Sequence, residues 1–81
     1  MSKAKINYHI EVYTKGGRCY ELDSMKRETI IDYFWKYRRS GKKAVLEYEY
    51  VKGDYEESGT KAVEYPMSRE SLLSFMKYYF K

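Results

Sequence analysis

An α+β domain with its elements in the order ββαββα is predicted by three features of the sequence. Two stretches alternate apolar and polar residues, each switches to a period of 3.6 residues, and the two stretches of longer period resemble each other. The expected architecture is a four-stranded antiparallel sheet with both helices on one face, built from a duplicated ββα unit. The chain, 1–81, reads as one domain with repeat units at roughly 4–41 and 42–81.

The first strand spans Ile6 to Tyr13. Ile6, Tyr8, Ile10 and Val12 face one way, and Asn7, His9 and Glu11 the other. Gly16-Gly17 supplies a tight hairpin turn, and Tyr20 and Leu22 continue the apolar face on the return strand. Cys19, Glu21 and Asp23 lie on the reverse. Asp23 or Ser24 is expected as the cap of a helix over Met25–Arg39, with Ile30, Phe34 and Tyr37 on its apolar line and Ile31 and Tyr33 flanking. Gly41 is the expected left-handed cap at its end.

The third strand covers Lys43 to Val51, with Ala44, Leu46, Tyr48 and Tyr50 on one face. Lys52 to Thr60 reads as a polar loop, and Lys61 to Tyr65 as a short return strand closed by Pro66. Ser68 is the expected cap of a last helix to about Phe80, where Leu72, Met76 and Tyr79 align.

The duplication is carried by two segments. Met25-Lys26-Arg27-Glu28-Thr29-Ile30-Ile31-Asp32-Tyr33-Phe34 aligns with Met67-Ser68-Arg69-Glu70-Ser71-Leu72-Leu73-Ser74-Phe75-Met76. Met, Arg and Glu are identical, and most other pairs are conservative. Ile30 and Leu72 are therefore expected at equivalent core positions.

Reactive chemistry is sparse. His9 is the one histidine and Cys19 the one cysteine, so neither a two-histidine metal site nor a zinc finger nor an internal disulfide is available. A Cys19–His9 nucleophile pair would sit on an exposed sheet face with no oxyanion hole. Glu47 and Glu49 share one strand face, whereas paired catalytic carboxylates face each other across a cleft. Gly16-Gly17 leads into a strand and so is no phosphate loop. The expectation is a non-enzyme with no metal and no cofactor. No apolar run is long enough to span a membrane and no signal segment opens the chain, so a cytoplasmic location is expected.

Charge is segregated. Glu11, Glu21, Asp23, Glu47 and Glu49 collect on the outer sheet face, where phosphate is repelled. Lys36, Arg38, Arg39, Lys42 and Lys43 collect where the first helix meets the third strand, beside Trp35. Trp35, Arg38, Arg39, Lys42 and Lys43 are the predicted partner-binding residues, because an aromatic with arginines has the composition of a binding hot spot. The long loop, with Asp54, Tyr55, Glu56 and Glu57, is the second-choice surface.

In its size, its tyrosine-rich strands such as Val45-Leu46-Glu47-Tyr48-Glu49-Tyr50-Val51, its lack of reactive motifs and its segregated charge, the chain resembles small accessory proteins of phages and archaeal viruses, including anti-CRISPR and other anti-defence proteins. The resemblance carries no functional residue over. It implies a stoichiometric inhibitor or adaptor, monomeric or homodimeric, that binds a host protein or ribonucleoprotein complex. The alternatives are a nucleic-acid-binding accessory protein using the basic 36–43 junction and a protein that sequesters a small ligand.

Overall fold

The alternation from Ile6 to Tyr13 gives one strand two chemically different sides, and the fold uses both. A computed structural model describes residues 3–80, so the expected domain and repeat limits at Met1 and Lys81, with Ser2, lie outside the described residues. The elements are β1 (Lys5–Thr14), β2 (Cys19–Ser24), α1 (Arg27–Lys36), β3 (Gly41–Lys52), β4 (Tyr55–Glu64) and α2 (Arg69–Tyr79). The order is ββαββα, as the two changes of period predict.

All strand pairs are antiparallel, in the spatial order β2-β1-β3-β4. The two ββα units thus meet through their first strands, with Tyr8 opposite Tyr48, Ile10 opposite Leu46 and Val12 opposite Ala44. These inward residues join Ile30, Ile31 and Phe34 of α1, Leu72 and Met76 of α2, and Val63 of β4 in one core. Both helices therefore cover the same face. Each fully buried Ile, Leu or Phe contributes about 1.5–3 kcal/mol relative to exposure. Ile30 and Leu72 are both wholly buried, as the repeat predicts. Among the described residues, no helix is long and apolar enough to cross a membrane.

Five expectations need correction. The first helix takes neither Asp23 nor Ser24 as its cap. Its N-cap is Lys26, which makes no side-chain capping bond, while the Ser24 hydroxyl accepts from the Lys26 N–H at 3.0 Å and turns the chain one step early. The helix also stops at Lys36 rather than Arg39. The N–H groups of Tyr37 and Arg38 donate to the carbonyls of Phe34 and Trp35, three residues back, which tightens the chain into a turn.

Gly41 is not a left-handed cap. It opens β3 and is buried, because a Cβ there would collide with the Tyr65 ring and the Tyr37 carbonyl. What this position requires is space.

The expected loop from Lys52 to Thr60 is mostly strand. Gly53, with φ of 60°, and Asp54 make a two-residue turn, and β4 pairs with β3 from Tyr55 onward. The Tyr48 ring lies over Gly59, so a residue that reads as a loop breaker instead makes room for a core aromatic. Most residues of β4 are polar because it is an edge strand and the helices bury only Val63. Tyr79 also leaves the expected core line. It is exposed, and the extended Phe80 turns inward onto Tyr8 and Tyr48, with ring centroids at 6.5 and 4.8 Å.

Candidate functional site

Trp35 lies in the last turn of α1, and Arg38 and Arg39 in the tight turn that follows. The Tyr65–Pro66 linker out of β4 runs beside them. The Tyr65 ring stacks on Phe34 with centroids 4.0 Å apart, and its hydroxyl donates to the Phe34 carbonyl at 2.6 Å. This fastens the linker to the end of α1. Burial, with Tyr37 and Tyr33 nearby, holds the Tyr65 hydroxyl above the ordinary tyrosine pKa.

Between the linker and the turn lies a groove of about 430 Å³ lined by Trp35, Arg38, Arg39, Pro66, Met67 and Ser68. Its apolar surface comes from the half-buried Trp35 and Met67 and from the exposed Pro66. The Arg38 guanidinium sits 4.9 Å from the centre of the Trp35 ring and donates to the Trp35 carbonyl at 3.2 Å. Trp35 and Arg38 are thus held together before any partner arrives. Ser68 caps α2 by accepting from the Ser71 N–H at 3.1 Å, which puts the positive end of that helix at one wall. Just outside, Arg69 pairs with Asp32 and ties the two helices together.

The five residues singled out in the sequence do not form one patch. Trp35, Arg38 and Arg39 come together. Lys42 is the extra residue of a bulge where β3 slips against Tyr13 and Thr14. Lys43 goes to the other side of the sheet, its ammonium 5.3 Å from the centre of the Tyr13 ring. Of the second-choice surface, Asp54 stays in a turn, while Tyr55, Glu56 and Glu57 belong to β4. Glu56 and Glu57 border a shallow acidic groove of about 460 Å³ with Glu47 and Glu49. Pro66, Met67 and Ser68 were not singled out, since they reach the groove only through the packing of Tyr65 on Phe34.

The uncovered sheet face carries Glu11, Glu21, Asp23, Glu47 and Glu49, with Glu56 and Glu64 added by β4. The half-buried His9 stands among these carboxylates. Its Nδ1–H donates to Asp23 at 2.6 Å, and its Nε2 lies 3.4 Å from Glu11 and 4.0 Å from Glu21. Partial burial lowers the His9 pKa, but the hydrogen bonds and charges of Asp23 and Glu11 outweigh it and the net shift is upward. Glu11 is itself held by the Tyr13 hydroxyl at 2.6 Å, and this bond pushes the Tyr13 pKa up to about 12. The signal for this cluster was in the sequence: a hairpin centred on Gly16 sets His9 opposite Asp23 and Glu11 opposite Glu21.

The same register sets Cys19 opposite Tyr13, four residues along β1 from His9. At about 3.4 Å per residue that is roughly 14 Å, too far for a nucleophile and its base. No protein-family model, no curated protein and no solved structure matches this chain.

Proposed function

We propose that the chain is a non-enzymatic binding module that receives an acidic protein segment in the groove between Trp35 and Met67. The observation that carries this reading is the stacked Trp35–Arg38 pair beside an apolar floor. A pre-ordered aromatic and arginine cost little entropy to bind, and such residues dominate interface energies. Arg38, Arg39 and the N-terminus of α2 set the sign of the partner, because all three favour carboxylate. A stoichiometric inhibitor or adaptor of the phage anti-defence type, acting in the host cytoplasm on a protein or ribonucleoprotein complex, is the form that the sequence resemblance gives to this reading.

The test compares the wild type with Arg38→Glu/Arg39→Glu and with Trp35→Ala in capture from host cells, followed by affinity measurement on the partner recovered. Each change is expected to cost about 2 kcal/mol or more while leaving the fold intact. Unchanged affinity in the double reversal would move the site elsewhere. A nucleic-acid partner would instead show binding indifferent to sequence that weakens steeply with salt, with a smaller salt slope in the double reversal.

A further inference from the structure

The tautomer of His9 is fixed by its neighbour. A carboxylate only accepts hydrogen bonds, so the 2.6 Å contact with Asp23 requires the proton on Nδ1. In the neutral ring Nε2 then carries a lone pair, and that lone pair faces Glu11 and Glu21. Three electron-rich atoms converging on one point repel unless a proton on Nε2 or a metal cation lies between them.

We propose that His9, Glu11 and Glu21 form a binding site for a divalent transition-metal ion of the zinc type. Their donor atoms all lie within 4.8 Å of one another. Zinc bonds of about 2.0–2.1 Å in a tetrahedron put neighbouring ligand atoms about 3.3 Å apart. The separation from Nε2 to Glu11 is already 3.4 Å and that to Glu21 is 4.0 Å, so closing the set needs only a small movement of an exposed glutamate on the edge strand β2. The backbone supplies the rest of the geometry, since Glu11 and Glu21 are direct cross-strand partners and His9 lies two residues from Glu11 on the same face. One imidazole nitrogen with two carboxylate oxygens suits zinc and its neighbours better than magnesium or calcium, which take oxygen alone.

The surrounding groups have the form of an outer shell. Asp23 holds the imidazole by its distal N–H, the usual arrangement behind a metal-bound histidine. The Tyr13 hydroxyl holds one oxygen of Glu11 and leaves the other toward His9. Among the described residues nothing covers this face of the sheet, so further coordination positions are open to water.

The experiment is a titration of the protein with Zn²⁺ near neutral pH, followed by the ring signals of His9 in NMR and by calorimetry. The expected result is one saturable site. His9→Ala abolishes it, and Glu11→Gln and Glu21→Gln each weaken it. Asp23→Asn weakens it roughly 10–100-fold through loss of the orienting carboxylate. Cys19→Ser is expected to leave binding unchanged, and amide spectra of every variant check that the fold is kept. The proposal is overturned if His9 responds to pH but not to millimolar Zn²⁺, which would make the cluster an ion pair only. It is also overturned if binding survives His9→Ala but is lost in Cys19→Ser.

Discussion

Tyr65 and Phe34, thirty-one positions apart, are joined twice, by parallel rings and by a hydroxyl that donates to a main-chain oxygen. The carbonyl of Phe34 lies in the last turn of α1, where it accepts both the Tyr37 N–H at 3.2 Å and the Tyr65 hydroxyl. A side chain from the end of β4 thus closes the helix that presents Trp35. Tyr65→Phe keeps the stack and removes the hydrogen bond, and is expected to cost about 1 kcal/mol in urea denaturation. Tyr65→Ala also removes the ring and should cost about 3–5 kcal/mol. Equal losses in the two variants would mean that the ring contributes nothing.

Alkaline pH should attack the same region. Burial pushes the Tyr33 pKa up to about 12, with Tyr37 and Tyr20 adding to it, and Tyr65 is raised as well. An unfolded tyrosine titrates near 10. A hydroxyl whose pKa is raised on folding binds its proton more tightly in the native state, so its contribution is fully present below about pH 10 and is lost as the pH rises through about 12. Melting temperatures measured from neutral pH upward should hold to about pH 10 and then fall. The fall should be shallower in Tyr65→Phe.

Gly59 and Gly41 test whether space decides those positions. Neither carries a positive φ, yet a Cβ at Gly59 meets the Tyr48 ring and one at Gly41 meets Tyr65 and the Tyr37 carbonyl. Alanine at either site is expected to cost about 1–3 kcal/mol by overpacking. At Gly41 the collision includes backbone, which cannot swing aside, so its loss should be the larger. A neutral Gly41→Ala in thermal unfolding would refute the assignment.

Equivalent core positions should respond alike. Ile30→Ala and Leu72→Ala each empty a wholly buried site and should each lower stability by roughly 2–5 kcal/mol. An unchanged melting temperature in either would show that its helix face does not hold the core.

What was legible in the sequence was whatever repeats along one element. The inward set Tyr8, Ile10, Val12, Ala44, Leu46 and Tyr48 follows from alternation, and Ile30, Phe34, Leu72 and Met76 follow from helical spacing. The extent of β4 was not legible, because an edge strand with little of its surface covered needs no apolar alternation. The exchange of Tyr79 for Phe80 was hidden because helical spacing stops applying where the helix stops. Each candidate site was visible in part. Trp35, Arg38 and Arg39 are close in sequence, but Pro66 and Met67 join them only through tertiary packing. His9, Glu11, Glu21 and Asp23 are all legible as one outer face of the hairpin, and only their cross-strand pairing requires the register.

The carboxylates of the sheet and the arginines of the groove also govern how a partner arrives. The Cα trace measures 23 and 17 Å across its two shorter axes. At physiological ionic strength the screening length is about 8 Å, so a molecule nearing the groove feels Arg38 and Arg39 with little contribution from the far side. At about 0.01 M salt the length grows to roughly 30 Å, and the two fields overlap and partly cancel. A chain of net charge +4 then acts on distant molecules partly as a dipole, which rotates an incoming acidic partner toward one end before contact. Encounter rates for such a partner should therefore depend on ionic strength less simply than net charge suggests, with orientation and attraction weakening at different salt concentrations.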